Sequence, residues 1–493
     1  MEPRASTPAE ESVPAGAHPA ARRFEVVDFE AADNDSRDNY LSTRPPSRRV
    51  SRYRAFVSTI AIAGTGVGMA IIGLCVTRAS SAMLRAKVIA AIKAEQHSGS
   101  VAGFGVHLGI SLLLATLAHL PCALQPVAAG SGIAEAKAQL NGIVYPKATD
   151  VGTLAAKVIS VTFSSSASLP VGLEGPLIMS GLAVGALAVG AIQILPARWR
   201  ALDVLRTDKA SRDFQALGCA AGVATAFLSP IGGVLFALEE GCSFWSVDLT
   251  IKCFGATCSV MVTWLLWLSI ENGFGDLDLA LLSKFGASTS LQEAPFAFWE
   301  FAVFFVVGAV GGVVGAVFIK CHFVLLRMRT RIFRHGGWGS RVGRLAEILL
   351  ITAAMASLTW WLPLVAPQCR DGGDQTDQTQ GPRISLGCET GEENLLARLM
   401  LSPPDAALGA VFFADGGAFS HQTLMIAGST SLIVLVLLFG SQLSMGIFIP
   451  LLYAGACFGR VFGIWTHLNE TVSHELCDDS MYAPLTSSPH ACP

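Results

Sequence analysis

About ten stretches of this chain are apolar over the length of a membrane-crossing helix, and this limits the fold more than any other feature. The hydrocarbon core of a bilayer is about 30 Å thick and takes roughly 20 apolar residues of helix to cross. The stretches fall at 55–77, 103–125, 152–171, 176–195, 214–238, 251–270, 296–326, 345–366, 421–439 and 445–464. Only 14% of the residues are charged, against about 25% in a soluble domain. Too little charge is available to cover a water-facing surface, so lipid must meet much of the exterior. The expected fold is all-α and polytopic. The formal net charge, 34 − 37 = −3, excludes a nucleic-acid binder driven by bulk basicity.

The polar segments set the domain boundaries and the sidedness. Residues 1–54 are rich in Pro, Ser and charge, contain no apolar signal segment, and read as a disordered tail. Arg44, Arg48, Arg49, Arg52 and Arg54 close that tail, so the positive-inside rule predicts that it is cytosolic. Arg-rich loops at 198–212 and 327–344 are predicted on the same side. The loop 367–407 is net acidic and is predicted on the opposite side, where Cys369 and Cys388 are expected to form a disulfide. Residues 55–465 form the transmembrane domain, and 466–493 a polar tail with a sequon at Asn469. The cysteines have no zinc-site spacing, and no metal or resident cofactor is expected. The GxxxxGK[ST] phosphate-binding loop is absent.

Three glycine-rich elements precede or open apolar helices: GSGIAE at 130–135, GLEGP at 172–176 and GIFIP at 446–450. A helix start has unpaired N–H groups and the positive end of the helix dipole. Several of them meeting at membrane depth would bind an anion without trapping it behind a full charge. Taken singly, such elements also serve as kinks or packing glycines. Ser131 adds a hydroxyl donor. Glu174 is an ionisable residue inside an apolar region, which is costly and points to function. It can occupy an anion's place when charged and leave when protonated, which makes a proton-dependent gate. Glu239 and Glu240 end the run PIGGVLFALEE and suit either a proton relay or a solvated helix end. Their like charges are expected to raise the pKa of one of them.

GSGIAEAKAQLNG, GLEGPLIMSG, GVATAFLSPIGGVLFALEEGCSFW and GIFIPLLYAGACFGRVFG, in this order and spacing, resemble the CLC chloride channel and transporter family from about 55 to 464. The eukaryotic endosomal and lysosomal chloride/proton exchangers are the subgroup most similar. The resemblance implies an inverted-repeat fold, with the second repeat incomplete here and no CBS domains. It implies that Ser131, Gly132, Ile133, Gly446, Ile447 and Phe448 contact chloride, that Glu174 is the external gating glutamate and that Glu240 is the internal proton glutamate. Ala134, Leu173 and Met179 depart from the family's usual proline, basic residue and histidine. The expected function is chloride/proton antiport in an endosomal, lysosomal or vacuolar membrane rather than enzyme catalysis. Its partners would be chloride, protons and the lipid bilayer, with a homodimer placed in doubt by the missing interface helices. The alternatives are a passive chloride channel and a transport-dead membrane subunit or regulator.

Overall fold

The computed structural model describes residues 48–194, 207–271, 298, 300–333, 338–371, 384–389, 391–413 and 418–465. The expected tail over 1–47, the Arg198, Arg200 and Arg206 part of the first basic loop, and the polar tail with Asn469 lie outside these residues. The described chain begins with α1 (Arg48–Ser98), α2 (Ser100–Leu124), α3 (Ile133–Leu140), α4 (Val151–Ser166) and α5 (Glu174–Ile194). Then come α6 (Asp208–Phe227), α7 (Pro230–Phe236), α8 (Val247–Glu271), α9 (Glu300–Ile332) and α10 (Trp338–Val365). A short antiparallel pair, β1 (Cys369–Asp371) and β2 (Glu392–Asn394), leads into α11 (Leu395–Leu401), α12 (Pro404–Phe413), α13 (His421–Leu438) and α14 (Phe448–Trp465). Among the described residues, eight helices are long and apolar enough to cross a membrane.

Among the boundaries that differ from the sequence expectation, two bear on how the first half of the chain is built. Residues 48–54 belong to α1 rather than to a disordered tail, because no Pro or Gly interrupts the chain between Ser47 and Ala63. The stretch 214–238 is not one span. Leu228 turns into the left-handed region at φ 52°, Ser229 accepts a hydrogen bond from the Gly232 N–H at 3.1 Å, and Pro230 opens α7. A capping serine followed by a first-turn proline is a strong helix start, so the chain breaks there.

The core lies where α5 and α6 cross with their backbones in contact. A Cβ on Gly181 would strike the carbonyl of Gly218, and one on Gly222 would lie 2.6 Å from the carbonyl of Leu177. Such crossings need residues without side chains. They bury Leu177, Met179, Leu182, Phe214 and Leu217 almost completely and give α5 a rigid seat. By contrast, only 6% of the apolar window of α9 is buried among the described residues. Cys369 and Cys388 form a disulfide with a Cα–Cα separation of 5.7 Å, which ties β1 to the segment that returns to β2.

Candidate functional site

The starts of α3, α5 and α14 meet because the loops before them pair across the fold. The Gly172 N–H donates to the Gly446 carbonyl and the Gly446 N–H to the Gly172 carbonyl, each at 2.8 Å. The Gly130 N–H donates to Leu443 O at 2.7 Å. Serines of α4 anchor the same loops: Ser160 Oγ accepts from the Ser444 N–H at 3.1 Å, and Ser164 Oγ donates to Ser444 O at 2.9 Å.

At the junction stands Glu174, the first residue of α5, only 3% exposed. Its carboxylate fills the notch between Gly172 and Gly446. A Cβ on Gly446 would lie 3.0 Å from Glu174 Oε2, and one on Gly172 would overlap that oxygen. Ser131 is adjacent, since a Cβ on Gly175 would fall 2.6 Å from the Ser131 Cβ. Ser131 Oγ accepts from the Ile133 N–H at 3.4 Å. Gly132 follows in the left-handed region at φ 79°, and a Cβ there would press on Met179 and lie 2.9 Å from Lys157 Nζ. Lys157 is 1% exposed and donates to Gly130 O at 3.2 Å. The junction therefore combines three helix starts, a hydroxyl and a lysine behind the loop with one carboxylate. Helix starts of this kind favour negative charge.

Of the remaining expected residues, Ile447 is half-buried, and Phe448 is 53% exposed with its ring edge-on to Phe227 at 5.2 Å. Glu240 lies apart from the junction, on a π-helical turn over Ala237–Gly241. It is exposed and forms an ion pair with Lys137 of α3. Asn141 fastens the same turn, donating to Gly241 O at 3.2 Å and accepting from the Ser243 N–H at 2.9 Å. The hydrogen bond and charge of Lys137 hold the Glu240 carboxyl below the usual range. The expected upward shift is therefore not found for Glu240, because the hydrogen bond and charge of Lys137 outweigh the small effect of burial. Helix α3 links the two places: Ser131 and Gly132 precede it, and Lys137 lies in its last turn, within an eight-residue helix about 12 Å long.

The model of the voltage gated chloride channel family matches residues 106–480. The chain belongs to that family. It is 35% identical to human H(+)/Cl(-) exchange transporter 7 over 345 residues, which are 69% of this chain and 42% of that protein. It is 30% identical to chloride channel protein A of Dictyostelium discoideum over 488 residues, 90% of this chain and 54% of that one. The chain thus spans about half the length of these curated relatives. Its fold is that of the crystal structure of a slow cyanobacterial Cl-/H+ antiporter, with TM-score 0.63, 18% identity and coverage of 84% of this chain and 81% of that one. A eukaryotic CLC transporter structure matches with TM-score 0.58 and 21% identity, over 84% of this chain and 61% of that one. This member of the voltage gated chloride channel family is an all-α, multi-pass membrane protein.

Two lysines join the site region without being part of any motif. Lys157 has a readable signal, as a lone lysine in the apolar run 152–171. Lys87 has none, because it lies in the mixed segment between the first two apolar stretches, yet it is 1% exposed.

Proposed function

We propose that this chain exchanges chloride for protons across an intracellular membrane. The position of the Glu174 carboxylate, wedged between Gly172 and Gly446 beside Ser131, carries this reading. Charged, the carboxylate competes with chloride for the helix starts. Protonated, it is released from them and the anion takes its place. Each turn of that exchange moves a proton one way and chloride the other. Ser131, Gly132, Ile133, Gly446, Ile447 and Phe448 are the proposed chloride-contacting set, and Glu240 the proposed inner proton acceptor. A disulfide persists in oxidising surroundings, so Cys369–Cys388 supports a lumenal or external face for that loop.

The test is reconstitution in liposomes with a chloride gradient, with the voltage clamped by a potassium ionophore. Uphill proton movement driven by chloride is expected. One observation favours a second reading: the Lys137–Glu240 ion pair restrains the residue proposed to pass protons inward. Chloride flux without proton flux would select a passive channel.

A further inference from the structure

The cleft that opens on Glu174 is a poor place for an anion, judged by its own lining. Glu174 and Asp405 both line it, and its other side chains include no lysine or arginine. An anion approaching Glu174 through that cleft therefore meets two carboxylates. A compensating cation stands just behind the wall. Ser80 and Leu84 of α1 line the cleft, and Lys87 follows one turn later on the same helical face.

Lys87 is 1% exposed, and its Nζ donates to Ser166 O at 2.7 Å, Ser168 Oγ at 2.5 Å and Ser111 Oγ at 3.3 Å. Three oxygens match the three N–H groups of an ammonium. Among the described residues no carboxylate pairs with it. In its ammonium form Lys87 is a buried cation, and its field reaches far in a low-dielectric interior. Ser165, whose neighbour Ser166 binds Lys87, lines the cleft as well.

We infer that Lys87 is an affinity-determining cation of this cleft, attracting chloride toward Glu174 through the 165–168 segment without touching it. The inference rests on the antiport reading. A purely structural role is the competing account, because Ser168 is a non-glycine residue held at φ 62° and Lys87 bonds its side chain. Glycine adopts that conformation freely, which separates the two accounts.

The experiment uses the full chain with Lys87→Met, Lys87→Arg and the double variant Lys87→Met/Ser168→Gly. Chloride KM and maximal rate are measured in liposomes, and chloride Kd by calorimetry on detergent-purified protein. A unit charge acting over on the order of 10 Å of protein interior changes affinity about tenfold. Lys87→Met is therefore expected to raise chloride KM and Kd about tenfold with the maximal rate kept within about twofold. Lys87→Arg is expected to stay near the parent. The double variant is expected to remain about tenfold weak, and it carries the test if Lys87→Met alone fails to fold. A double variant that regains parental affinity overturns the inference, as does unchanged affinity in Lys87→Met. A parent that binds chloride but does not move it overturns the antiport reading alone, and the Kd series still decides on Lys87. A parent that neither binds nor moves chloride overturns both.

Discussion

Gly172 and Gly446 exchange backbone hydrogen bonds in both directions at 2.8 Å, and the carboxylate of Glu174 rests against both. Two loops far apart in the chain thereby become the two walls of one notch. The notch exists because neither wall has a Cβ.

Replacing Glu174 with Ala removes the carboxylate that fills that notch. Proton transport is expected to fall at least about a hundredfold, the lower end of what a positioned proton-transfer group contributes, while chloride still crosses. Parallel chloride-electrode and pH-electrode recordings on the same vesicles check this. Proton flux that survives unchanged would remove Glu174 from the mechanism.

Gly446→Ala tests the wall rather than the carboxylate. The new methyl would stand 3.0 Å from Glu174 Oε2 and 3.1 Å from Gly172 O, both tighter than ordinary contact. Either the carboxylate moves out or the glycine pair opens. The expected result is a changed proton-to-chloride ratio in protein that still purifies as a monodisperse species, measured in the same vesicles. A parental ratio would mean that the carboxylate does not need this notch.

Lys137 holds the Glu240 carboxyl below the usual range, so Glu240 stays ionised to a lower pH than an ordinary glutamate. Its ion pair is present above the ordinary carboxylate pKa and is lost as pH falls through the depressed one. In Lys137→Met the carboxyl protonates at higher pH. The acid limb of the proton-flux profile is then expected to move to higher pH, by a small step because both groups are exposed and solvent-screened. Glu240→Gln is expected to abolish proton flux and keep chloride flux. A profile unmoved by Lys137→Met, together with full coupling in Glu240→Gln, would leave the π turn outside the proton route.

The Cys369–Cys388 disulfide closes a loop with a sequence separation of 19. Loop entropy gives it roughly 3 kcal/mol of stabilisation. Peptide mapping without reductant is expected to recover the cross-linked pair, and the Cys369→Ser/Cys388→Ser variant to melt several degrees lower. Recovery of both as free thiols would refute the bridge.

Gly222→Val probes the α5–α6 crossing. A Cβ at 222 would lie 2.6 Å from Leu177 O and 2.9 Å from Ile178 Cα, which are backbone atoms that cannot swing aside. Overpacking of this kind costs about 1–3 kcal/mol. Since α5 carries Glu174 at its start, the variant is expected to lose thermal stability in detergent, read by tryptophan fluorescence. A parental melting temperature would show that the crossing is slack.

The sequence by itself determined that the chain is helical and built for lipid, because apolar length and scarce charge leave no other way to satisfy the backbone in a bilayer. It also marked the glycine- and proline-punctuated elements GLEGP at 172–176 and GIFIP at 446–450 as places where apolar helices open. Ser131 and Glu174 stood out as polar groups among apolar neighbours. Tertiary structure decided the rest. That Glu174 lies against Gly446 depends on a pairing between distant loops, and no local pattern encodes it. Glu240 has its carboxyl held down rather than raised because Lys137, from another helix, hydrogen-bonds and pairs with it. Lys87 and Lys157 became buried only when α4 packed its serines and the GSG loop around them. Apolar periodicity is a property of neighbours in sequence, whereas the field at an ion site comes from charges that folding alone brings together.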